Sequence, residues 1–180
     1  MTEIGNHAGL SRRTMLKSAG SGLIVAAITP AGMILGHRNA WSATAETLQP
    51  DTFATLVQMS RDIYPHTRLS DKFYAAAVSV LDGAAKADDD VKKSLEDGVA
   101  ALDEAATKAK GAAYRAIDSE EDRTSVLNEI ESSAFFQKVR GNLITGIYNN
   151  KEVWPLFGYE GESASKGGYI HRGFDDVAWL

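Results

Sequence analysis

The sequence predicts an all-α protein: a helical bundle of about five helices, followed by an extended C-terminal tail rich in glycine and aromatic residues. Three observations carry that expectation. Apolar residues recur at three- and four-residue spacing from about residue 50 to about residue 150, the period of a helix face. No segment alternates convincingly with the period of two that a half-buried strand would need. Prolines, serines and aspartates stand where helices begin and end.

The first helix is expected in PDTFATLVQMSRDIYPH, with Pro50-Asp51 at its front, Phe53, Leu56, Val57 and Ile63 at helical spacing, and Pro65 closing it. The second, SDKFYAAAVSVLDGAAKA, is expected to bury Phe73, Ala77, Val80, Leu81 and Ala84 along one side. Asp88-Asp89-Asp90 open the third, because negative charge favours the positive end of a helix dipole. Val91, Leu95, Val99, Leu102 and Ala106 then form its face. Ser119 with Asp122 is a capping signal for the fourth helix. In the fifth, Phe136, Val139, Leu143 and Ile147 share a stripe beside Phe135 and Ile144. Residues 46–150 are therefore the helical domain.

Residues 151–180 have no helical period. They hold five glycines and two of the three tryptophans, which suggests a segment that turns sharply and lays rings against a surface. That surface is either the domain's own core or another protein. Trp154, Tyr159, Tyr169 and Trp179 are the candidate partner-binding anchors, with Trp154, next to the last helix, the one expected to cover the bundle itself.

Residues 1–45 read as a targeting segment rather than as part of the fold. Ser11, Arg12, Arg13, Leu16 and Lys17, in SRRTMLK, resemble the recognition motif of the twin-arginine export route, with Met15 where Phe is common. Ser18 to Gly36 follow without a charge, but rich in Gly and Ala and broken by Pro30. Ala43 and Ala45 give the small-x-small pattern of a signal peptidase site, so a mature chain beginning near Glu46 and located in the periplasm is expected. The alternative is an uncleaved membrane anchor, for which the segment is only mildly hydrophobic.

From residue 46 onward the chain carries 15 basic and 23 acidic side chains, a net charge of −8. Such a domain is repelled by phosphate, which argues against nucleic acid or anionic lipid as a direct partner. There is no cysteine, so disulfides, thiolate catalysis, cysteine-ligated clusters and covalent haem attachment are excluded. His66 and His171 are the only histidines after residue 45 and form no metal-binding motif. Ser163 and Ser165 match no nucleophile elbow, and Asp175-Asp176 more simply cap a turn or pair with Arg172. No glycine pattern fits a phosphate loop on a strand–helix unit. The residues thus assign no catalytic group, no metal site and no cofactor to this chain. A stand-alone periplasmic enzyme using His171, Asp175 and Asp176, or a free binding module, remain the alternative readings.

Phe135 to Leu180 carry a further pattern: Phe135-Phe136 opening a helix, Tyr148 at its end, then Trp154, Phe157-Gly158-Tyr159 with Gly161, and Gly167-Gly168-Tyr169 before an acidic-aromatic end. This resembles the C-terminal signature of the gluconate 2-dehydrogenase subunit 3 family. Over residues 46–110 the likeness is general: helices and one Tyr-Pro helix end. The resemblance implies a small, non-redox subunit of a membrane-associated periplasmic dehydrogenase. Its expected partners are a large flavoprotein of the glucose–methanol–choline type, holding FAD, and a multihaem cytochrome c subunit, holding haem c. The flavoprotein oxidises a sugar, sugar acid or other alcohol and must fold around its flavin before export. The small subunit would carry the export signal for both, and meet the membrane only through the complex.

Overall fold

The computed structural model describes residues 45–168 and residue 170. The export motif at Ser11, Arg12, Arg13, Leu16 and Lys17 lies outside the described residues, as do Ala43, Tyr169, His171, Asp175, Asp176 and Trp179.

Among the described residues the chain forms five α-helices and no strand: α1 (Pro50–Ile63), α2 (Asp71–Ala87), α3 (Asp89–Lys110), α4 (Glu120–Ile130) and α5 (Ala134–Tyr148). Helix α1 starts on Pro50, whose missing N–H costs nothing in a first turn, and stops before Tyr64, because a residue preceding proline avoids helical angles. It contacts all four other helices. Accordingly its burial is not confined to one stripe: Thr52, Thr55, Ser60 and Asp62 are buried with Phe53, Leu56, Val57 and Met59. Three of these polar groups have partners, Thr52 on Glu96, Ser60 on the Leu56 carbonyl at 2.6 Å and Asp62 on Arg123.

The buried face of α2 differs from the expected one. Val80 is 59% exposed and Ala84 is exposed, whereas Tyr74, Val78, Asp82 and Ala85 are buried with Phe73, Ala77 and Leu81. Phe73, Ala77 and Leu81 keep their expected places, so the face is shifted toward Tyr74, Val78 and Ala85 rather than replaced. Two polar groups turn it: the Tyr74 hydroxyl donates to the Tyr64 carbonyl, and Asp82 accepts from backbone N–H groups at residues 46–48.

Asp88 ends α2 and caps α3, its carboxylate accepting from the N–H of Asp90 at 2.8 Å. Of the expected stripe, Leu95, Val99, Leu102 and Ala106 are buried and Val91 is half-buried, and Gly111, at φ 78°, closes the helix in the left-handed region. Ser119 caps α4 by accepting from the N–H of Asp122, and Ser133 caps α5 from Phe136. Helix α5 lies mainly on α2, burying Val139, Leu143 and Ile147, while Ile144 is 46% exposed. The two helices approach closely because position 146 is glycine: a Cβ there would stand 2.8 Å from the Cβ of Ala77.

Candidate partner-binding surface

The chain leaves α5 at Tyr148 and is rooted at once by Val153, which is fully buried. A single 3-10 turn (Trp154–Phe157) follows, closed by Gly158 at φ 77°, and a second (Ser163–Lys166) is closed by Gly167 at φ 80°. The segment turns sharply, as its glycines suggest, but by 3-10 turns rather than by running extended. Ser165 donates to the Glu162 carbonyl at 2.8 Å, a turn-forming bond.

Trp154 is half-buried within this turn. Its indole N–H donates to the Tyr148 carbonyl at 2.7 Å, and its ring meets that of Tyr159 edge-on at 5.1 Å. Lys151 stands over one face, and Gly161 passes close to the ring. The contacts of Trp154 thus stay within its own turn and the last residue of α5. Tyr159 packs one side on it and remains 46% exposed.

The same turn delivers Phe157 to a group of rings from the far side of the sequence. His66 meets Phe157 at 4.9 Å and Tyr148 at 5.7 Å; Tyr148 meets Tyr64 at 5.8 Å and Phe157 at 5.9 Å. A hydrogen bond of 2.7 Å joins His66 Nε2 to the Tyr148 hydroxyl. The imidazole is therefore engaged both through its ring and through Nε2. Partial burial lowers its pKa, and burial raises that of the Tyr148 phenol, so both are neutral at pH 7. Arg68 donates to the Leu156 carbonyl and Lys72 pairs with Glu152 at 3.3 Å, linking this segment to the α1–α2 connection and the first turn of α2. The Tyr-Pro helix end and the tail, two separated parts of the sequence, meet here.

The outer side of this assembly is apolar and open. Tyr148, Leu156 and Phe157 are each 37–38% exposed, and Ile170, past the second turn, is 77% exposed. Single exposed apolar residues are ordinary, but several on one tethered segment are the usual composition of an interaction site.

A buried polar centre lies elsewhere. Asp62, on α1, accepts from Arg123 Nε at 2.7 Å and Nη2 at 3.0 Å, from the Tyr114 hydroxyl at 2.7 Å and from Gln58. Arg123 Nη1 is satisfied by the carbonyls of Ile117 and Asp118. Burial, with the Asp62 charge beside it, holds the Tyr114 proton well above its ordinary range, and the hydrogen bond to Asp62 raises the Arg123 pKa. Every member is engaged with another, which suits a structural clamp. Beyond it, a cleft of about 500 Å³ opens between the end of α1, α4 and α5, lined by Ile63, Tyr64, Leu127, Phe136, Glu131 and Arg140 among others. No three His, Asp or Glu side chains among the described residues converge as a metal site. No described helix is long and apolar enough to cross a membrane.

Of the candidate anchors, the structure describes Trp154 and Tyr159 and brings them into contact; Tyr169 and Trp179 lie outside the described residues. Sequence reasoning missed His66 and Tyr64 as ring partners of the tail, and Asp62 and Asp82 as buried carboxylates. Only the latter pair left a signal: an aspartate within an otherwise apolar or alanine-rich helical face.

The class defined by these features is an all-helical domain with a surface of anchored aromatic turns. Compared with protein-family models, with curated proteins and with solved structures, the chain matches none.

Proposed function

We propose that this chain is the small, non-catalytic subunit of a periplasmic FAD-dependent dehydrogenase acting on a sugar, sugar acid or alcohol. In this reading it assists assembly of the flavoprotein and carries the twin-arginine signal that exports both. The motif at residues 11–17 and the resemblance of residues 135–180 to the gluconate 2-dehydrogenase subunit 3 family support it. The observation that carries it is the tethered aromatic turn, with Tyr148, Leu156, Phe157 and Tyr159 exposed on a segment fastened through His66, Arg68 and Lys72. A fixed turn presenting rings loses little entropy on docking, which favours a protein partner. FAD and haem c belong to the partner subunits.

The test is isolation from the chain's own host. A yellow or haem-coloured complex is expected, and Arg12→Lys/Arg13→Lys should strand the flavoprotein in the cytoplasm. A colourless monomer, with dehydrogenase activity still exported from the double variant, overturns the reading. The cleft beside Tyr64 and Arg140 favours a second reading, a small-ligand binding module. That alternative requires a ligand that raises the melting temperature of the isolated chain with its occupancy.

A further inference from the structure

Of the two buried carboxylates among the described residues, Asp62 is paired with Arg123, whereas Asp82 has no ion pair among the described residues. Asp82 is 4% exposed. Its carboxylate accepts three successive backbone N–H groups: Glu46 to Oδ2 at 2.8 Å, Thr47 to Oδ1 at 3.1 Å and Leu48 to Oδ1 at 2.7 Å. One turn further along α2, Lys86 Nζ pairs with the Glu46 side chain at 3.1 Å. Residue 46 is thus gripped twice, by its backbone nitrogen and by its carboxylate, from one face of α2. A buried carboxylate held only by neutral amides lacks the countercharge that normally offsets its desolvation.

Glu46 directly follows the Ala43-Thr44-Ala45 pattern. We propose that Asp82 is the receptor for a new amino terminus created by cleavage between Ala45 and Glu46. The inference rests on the export reading above, since it needs a signal peptidase. Hydrolysis adds water across the Ala45 C–Glu46 N bond, leaving a carboxylate on Ala45 and an α-ammonium on Glu46. The nitrogen that already lies 2.8 Å from Asp82 Oδ2 then carries the missing positive charge. Before cleavage, the carboxylate holds a neutral amide nitrogen, whose release exposes the scissile bond. After cleavage, it recaptures the same nitrogen as an ammonium, and the contact becomes an ion pair. Processing thereby locks the start of the mature chain onto α2 and, through Gln49 N–H on Glu96 at 2.7 Å, onto α3.

The charged groups facing the new terminus are Asp82, Lys86, the Glu46 side chain and Glu96. Paired with Asp82, the α-amine titrates above the ordinary value of about 8. Its stabilisation is complete below that value and is lost as pH rises through the elevated one.

The experiment uses the full chain in an export-competent host. The exported product should begin at Glu46 by mass spectrometry. At pH 8 its α-amine should react with an amine-selective acylating reagent roughly fivefold more slowly than a free terminus, the effect on the reactive fraction of raising a pKa of about 8 by about one unit. The melting temperature of this product should fall between pH 8 and 10, and the same fall should be absent from processed Asp82→Asn and from unprocessed Arg12→Lys/Arg13→Lys. If Asp82→Asn does not fold, the labelling rate of the wild-type product still decides. A product beginning elsewhere, or one whose α-amine labels as a free terminus, overturns the inference while leaving export intact. Wild-type chain retained unprocessed in the cytoplasm overturns both.

Discussion

Arg123 and Asp62, sixty-one positions apart in sequence, meet through two parallel hydrogen bonds of 2.7 and 3.0 Å that tie α4 to the C-terminal end of the central helix. The pair is desolvated, with side chains 9% and 2% exposed. Breaking such a pair from one side strands a charge, whereas replacing both partners with apolar groups of similar size is often neutral. Arg123→Ala or Asp62→Ala should therefore each cost on the order of 3–5 kcal/mol in urea denaturation. The double change Asp62→Leu/Arg123→Met should recover much of that loss. Additive losses would mean that the two residues do not act as one clamp.

The approach of α5 to α2 makes a second prediction. A Cβ at position 146 would stand 2.8 Å from Ala77 Cβ and 3.1 Å from Ala77 Cα, both on a helix with little freedom to move. Alanine ordinarily gains roughly 0.5–1 kcal/mol over glycine inside a helix. Overpacking costs about 1–3 kcal/mol, so the steric term should win and Gly146→Ala should destabilise the domain. Adding Ala77→Gly should restore part of the loss. Unchanged stability of the single variant would show that the helices separate without penalty.

How much of this was legible depended on whether water or protein faced each position. Helix α3 is solvated on one side, and its buried Leu95, Val99, Leu102 and Ala106 stand out by period alone. Helix α1 is enclosed, so Thr52 and Ser60 are buried although no periodic reading would place them inside. On α2, Tyr74 and Asp82 belong to the buried face because of bonds to Tyr64 and residues 46–48, partners that period cannot show. The tail shows the same division. The contacts of Trp154 are with near neighbours in sequence, whereas the seat of Phe157 on His66 joins residues ninety-one positions apart and needed the fold. The fastening of the candidate surface was therefore hidden, and of its exposed rings only Tyr159 stood among the expected anchors.

The His66–Tyr148 bond makes that fastening sensitive to acid. Burial lowers the folded-state pKa of His66 below the ordinary value of about 6.5, so the unfolded chain takes up its proton first as pH falls. Stability from this group is present above pH 6.5 and is lost as pH falls from there through the lowered folded value. The melting temperature should decline between pH 7.5 and 5.5, and His66→Gln, which does not titrate, should flatten that decline. An equal decline in the variant would assign it to the carboxylates instead.

Trp154 and Tyr159 touch, yet their surroundings separate their roles. The Trp154 indole N–H donates inward to Tyr148, so Trp154→Phe should cost about 1 kcal/mol of stability for the lost bond. Tyr159 is 46% exposed and makes its ring contact on one side only. Tyr159→Ala should shift the melting temperature little, since half its surface is already in water. If the turn docks on a flavoprotein subunit as proposed, the same change should weaken that binding by about thirtyfold, the effect of a hot-spot aromatic worth roughly 2 kcal/mol. Calorimetric titration of the flavoprotein with each variant, beside a thermal melt, separates the two effects. A Tyr159→Ala protein that binds as wild type removes this ring from the interface.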